Sequence, residues 1–123
     1  MINQRRVVIT GIGIVSPIGN NQKEVKQALF FNNSGITFSK DYADLGFRSQ
    51  VHGNIDIDVN NFLDKKDLRF MGDGAAYTAI AMQEAISDAN LNDSLVSNSL
   101  TGLIAGAGGP STLNLRVASD ITR

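Results

Sequence analysis

The sequence predicts an α/β fold, a mixed or parallel sheet with packing helices, on three observations. Residues 6–15 read RVVITGIGIV, and a run this short, apolar and rich in Val and Ile suits a strand buried on both faces. Residues 100–109 read LTGLIAGAGG, which places a second buried strand at 102–105, running into a glycine-rich turn. Between them, residues 75–90 carry helical periodicity. Strand, helix and strand in that order imply a right-handed crossover between parallel neighbours.

The elements follow in turn. After the first strand, Ser16-Pro17-Ile18-Gly19-Asn20-Asn21 supplies turn residues, and Asn21 is placed to cap a helix over 22–31, with Val25, Ala28 and Leu29 at helical spacing. Asn32-Asn33-Ser34-Gly35 ends it. Residues 36–58 give no clear pattern, although the partial alternation over 50–57 fits an exposed strand or a loop. Asp64 is placed as the N-cap of a short helix over 65–70, with Asp67 in the capping-box position. Gly72-Asp73-Gly74 should break or bend the chain before the long helix at 75–90. Its first half, AAYTAIAM, is apolar almost all round. Its second half shows a polar stripe of Gln83, Glu84, Ser87 and Asp88, so the helix should enter the core and leave only its C-terminal end wet. Residues 111–123 begin another helix. Two strands do not make a stable parallel sheet, so the apolar surface needs further chain to cover it.

Composition excludes several classes. The 123 residues are 42% apolar and 19% charged, ordinary for a folded domain. A net charge of −1 gives no bulk field for nucleic acid or an anionic membrane. Without cysteine, this chain forms no disulfide, thiolate metal site or cysteine nucleophile, and any histidine chemistry must use His52 alone. No apolar run approaches a membrane span, and the polar start, Met1 to Arg6, has no signal-peptide core, so the expected location is cytoplasmic.

Gly11-Ile12-Gly13 after a strand approaches the dinucleotide fingerprint G-x-G-x-x-G, in which glycines bring backbone N–H groups to a pyrophosphate. The third glycine is absent, and Pro17 delays the next helix to about residue 22. The alternative is a packed strand in which Gly11 and Gly13 admit another backbone.

Five segments in order resemble the N-terminal region of the β-ketoacyl-[acyl carrier protein] synthases. They are residues 8–20 (VITGIGIVSPIGN), Ser34-Gly35-Ile36, Asp64-Lys65-Lys66 with Arg69-Phe70-Met71, residues 85–91 (AISDANL), and residues 102–109 (GLIAGAGG). Each is weak alone, but the ordered set is specific. The subtype most resembled is synthase I. In many synthase II sequences a bulky isoleucine follows the Gly-x-Gly of the last segment and helps gate the acyl pocket, whereas Gly109 stands here. That glycine either keeps an acyl channel open or serves a tight turn.

The resemblance implies the beginning of a thiolase-like fold. It also implies a condensing activity that uses a cysteine and two histidines, with no metal or redox cofactor. Those catalytic residues are not among the 123, so the chain is expected to be the N-terminal part of such a domain, truncated and inactive alone. It further implies acyl carrier protein as partner, received by Lys65, Lys66 and Arg69, an acyl pocket touching Gly108 and Gly109, and a homodimeric parent. The two lysines in a first helical turn oppose the helix dipole, which supports another use for them. The alternative is a solvated face with Asp67 as counter-ion. A synthase II-type enzyme, a non-catalytic chain-length partner with the same scaffold and a carrier-binding module remain alternatives, and His52 is expected to be exposed or packed at an edge.

Overall fold

The computed structural model describes residues 5–122; the polar opening at 1–4 and Arg123 lie outside them. Six helices are described: α1 (Gln22–Phe30), α2 (Lys40–Asp44), α3 (Lys65–Leu68), α4 (Asp73–Asp88), α5 (Asp93–Val96) and α6 (Thr112–Ile121). A 3-10 turn spans Val59–Asn61. The described sheet is a two-stranded antiparallel pair, β1 (Ile36–Phe38) and β2 (Val51–Gly53), with Thr37 opposite His52.

The expected parallel sheet is not formed. Residues 6–15 and 102–105 carry no strand ladder, and near the first of them only an isolated Ser16–Gly19 bridge appears. A buried strand requires hydrogen-bonding neighbours along its edges, and among the described residues neither segment finds one. Their apolar side chains stand in solvent: Val7 is 92% exposed and Ile104 99%. The chain exposes 10726 Å² in all, where a compact monomer of 13.2 kDa exposes about 6,400 Å². The described hydrophobic core consists of Ala28, Ala76 and Ile80. The uncovered surface anticipated from two lone strands is therefore present.

The helices obey local chemistry more closely. Asn21 caps α1, its side chain accepting from the Glu24 N–H at 3.0 Å, while Glu24 reaches back to the Asn20 N–H at 2.8 Å. That backbone bond, and then the Asn21 side chain, hold the Glu24 carboxyl below the ordinary carboxylate range. α3 is a single turn ending at Leu68, shorter than the expected 65–70, and Asp64 makes no side-chain cap bond. Gly72-Asp73-Gly74 does not break the chain; Gly72 is the N-cap of α4 and the next two residues are its first turn. α6 begins where expected, with Ser111 capping through Asn114 N–H at 3.3 Å. No described helix is long and apolar enough to cross a membrane.

α1 and α4 end alike. Asn32 and Asn90 sit at φ 56° and 52°. Asn90 N–H donates to Ser87 carbonyl and Leu91 N–H to Ile86 carbonyl, while Asn32 and Asn33 repeat the pattern on Leu29 and Ala28. Both are Schellman closures, whose left-handed residue is ordinarily glycine. Asn90→Gly is therefore expected to stabilise the chain by about 0.5–1 kcal/mol, because it removes the Cβ conflict of the left-handed conformation. Thermal unfolding of the two proteins side by side measures the gain.

Candidate functional site

The α4 helix has two working faces. Ala75, Thr78, Ala79 and Met82 recur at the spacing of one helical stripe and wall a cavity of about 720 Å³. Leu103, Ala105, Gly109 and Ser111 line it as well. The alanines explain the volume: they leave the helix surface low while Met82 and Leu103 supply apolar bulk.

Gly109 lines this cavity; Gly108 is not among its lining residues. A Cβ at Gly109 would meet nothing within 4 Å, and its φ is not left-handed. Neither steric crowding nor a left-handed backbone requires glycine there, although the chain bends at Gly108 and Gly109. The missing side chain leaves space on the cavity side.

Lys65, Lys66 and Arg69 are all exposed on and just after α3. The ion pair found among the described residues is Lys40–Asp44, so Asp67 does not act as a bonded counter-ion to the basic group. The dipole argument weakens, because a one-turn helix has little macrodipole to oppose.

His52 lies on β2, half-buried, with its ring tilted against Tyr42 at 5.7 Å. This is the edge-packed histidine expected. No group of metal-ligating side chains gathers among the described residues.

The other face of α4 meets the opening segment. A Cβ on Gly13 would lie 1.7 Å from Ala81 carbonyl oxygen, and one on Gly11 2.3 Å from that of Ala85. Both glycines thus admit a helix backbone, the packing reading rather than the dinucleotide one. The amides a phosphate would need are taken. Ile12 N–H donates to Asp88 Oδ2 at 3.0 Å, and Ile14 N–H to Glu84 Oε2 at 2.7 Å. Sequence reading put Glu84 and Asp88 on a wet stripe and missed this role. The available signal was the pairing of an i,i+2 glycine spacing with an i,i+4 carboxylate spacing.

Residues 4–121 match the family described as Beta-ketoacyl synthase, N-terminal domain. The chain belongs to this family. As a β-ketoacyl synthase segment, it is 47% identical over 119 residues to 3-oxoacyl-[acyl-carrier-protein] synthase 1 of Haemophilus influenzae, covering 97% of this chain and 29% of that protein. It is 49% identical over 108 residues to synthase 1 of Escherichia coli K12, covering 87% and 27%. Against 3-oxoacyl-[acyl-carrier-protein] synthase 2 of Vibrio harveyi the identity is 31% over 108 residues, covering 87% and 26%. The synthase segment therefore spans between a quarter and a third of these relatives' length. Its identity to the two synthase 1 proteins exceeds that to the synthase 2.

Proposed function

We propose that this chain is the N-terminal segment of a condensing enzyme of fatty-acid synthesis, of the synthase I type and with a thiolase-like fold when complete. The observation that carries it is the identity of 47–49% over nearly the whole chain to proteins named 3-oxoacyl-[acyl-carrier-protein] synthase 1. In the reaction, a cysteine thiolate takes an acyl group from the carrier protein's thioester. A malonyl thioester then loses carbon dioxide, and its carbanion attacks the acyl-enzyme. The thiolate leaves, and the β-ketoacyl product is two carbons longer. The physics is that of an activated thiolate with backbone donors on the oxyanion.

This segment supplies neither nucleophile nor base, having no cysteine and one edge-packed histidine, and is inactive alone. Its contributions are two. The apolar face of α4 with Leu103, Ala105 and Gly109 forms a wall for the growing acyl chain, with Gly109 leaving that wall open. The exposed cations of Lys65, Lys66 and Arg69 receive the acidic carrier protein. The working enzyme is a cytoplasmic homodimer, and the large uncovered apolar surface supports a cover of further protein over this segment.

The docking role is tested by Lys66→Glu with Arg69→Glu in a full-length synthase carrying this segment. The expected result is a rise of about tenfold or more in KM for acyl carrier protein, steepest at low salt, because electrostatic steering is lost. KM for small thioester substrates stays as it was. An unchanged carrier-protein KM refutes the docking assignment.

A further inference from the structure

The opening segment and α4 are matched in pitch. Two residues of extended chain advance about 6.6 Å, and four residues of helix about 6.0 Å. Amides at i,i+2 on one therefore meet side chains at i,i+4 on the other. Ile12 faces Asp88 and Ile14 faces Glu84, so the two elements run in opposite directions. Gly11 and Gly13 allow the approach that brings these amides within reach. Glu84 does more than Asp88. Its Oε2 accepts from Ile14 N–H at 2.7 Å, and its Oε1 accepts from Gln22 N–H, the first residue of α1, at 3.0 Å. The Gln22 side chain closes the loop by donating from Nε2 to Ile12 carbonyl at 2.6 Å.

We infer that Glu84 is a positioning residue whose two carboxylate oxygens join the opening segment and the start of α1 to α4, with Asp88 as a second, separate hold. Only a group with two acceptor oxygens satisfies both amides. A glutamine of the same shape offers one acceptor, and its NH₂ would face an N–H. The helix that carries this bracket at its C-terminal half carries the cavity wall, Ala75 to Met82, at its N-terminal half. The bracket therefore fixes how far that wall lies along the opening segment. The inference stands on geometry alone and does not rest on the acyl reading of the cavity.

Amide-resolved hydrogen exchange on a full-length synthase carrying this segment tests it, in the unsubstituted protein, E84A and D88A, which remove every side-chain acceptor at their positions. E84A is expected to speed exchange at Ile14 and Gln22 together by about tenfold or more, the size of a lost charge-assisted bond, while Ile12 keeps its protection. D88A is expected to release Ile12 and leave the other two protected. Protection surviving at Ile14 or Gln22 in E84A overturns the inference, as does an unsubstituted protein unprotected at both. Should E84A lose all protection at once, D88A decides: release of Ile12 alone upholds two separate holds, and release of all three amides refutes them.

Discussion

Gly13→Ala is expected to destabilise the chain by about 3 kcal/mol, at the upper end of what overpacking costs in a close contact. The added methyl would lie 1.7 Å from Ala81 carbonyl oxygen and 2.7 Å from the carbon bearing it. Those atoms belong to the backbone of a sixteen-residue helix, which cannot swing aside as a side-chain tip can. Relief requires moving the opening segment off α4, and that pulls Ile14 N–H away from Glu84. The steric penalty thus adds to a lost hydrogen bond to a charged group. Gly102→Ala is the matched control, since nothing lies within 4 Å of its Cβ position. Denaturant unfolding of both variants, in a full-length synthase carrying this segment, should separate them widely. Equal midpoints would show that the opening segment does not pack on α4 as described.

The same pair of glycines shows what the sequence discloses and what it withholds. A glycine after a β-rich run signals close approach, but two readings compete for what approaches. The residues that exclude the phosphate reading, Glu84 and Asp88, lie some seventy positions away, and nothing local marks them as partners. Their helical periodicity points to solvent, because they alternate with Gln83 and Ser87 as a polar stripe would. The start of α1 was legible because a cap is local: Asn21 binds an amide three residues on, whereas Asp64, also read as a cap, makes no such bond. The Gly72-Asp73-Gly74 start of α4 was misread because glycine breaks helices in their interior but is tolerated at an N-cap and in a first turn. β1 was invisible for the opposite reason. Ile36–Phe38 has three residues, all exposed, too few for alternation to register, and its pairing with Val51–Gly53 is set by contacts across the intervening loop. The strand-like runs 6–15 and 102–105 were read from composition, which records what a segment is suited to pair with. It does not supply the partner, and the described residues hold none.

Gly109 turns the cavity geometry into a test of substrate selection. In a full-length synthase carrying this segment, Gly109→Ile is expected to lower kcat/KM for long acyl chains by about 10–200-fold relative to short ones, the range that a few methylene-sized contacts impose in an apolar pocket. The reasoning has two independent steps. The fold should tolerate the change, because the Cβ position is open and the backbone does not need glycine's left-handed freedom; unfolding midpoints should therefore hardly move. The new side chain then projects beside a cavity of about 720 Å³ lined also by Ala75, Thr78, Ala79 and Met82, where β-branching restricts its rotamers and keeps the bulk in place. A drop in activity toward all chain lengths together would point to damage at the reaction centre. A drop confined to long chains assigns the cavity to the acyl tail. Gly108→Ala, whose Cβ would also meet nothing and which is not among the lining residues, should leave both activity and selectivity unchanged. Equal effects at 108 and 109 would mean that the loop's flexibility, rather than the space beside Gly109, governs chain length.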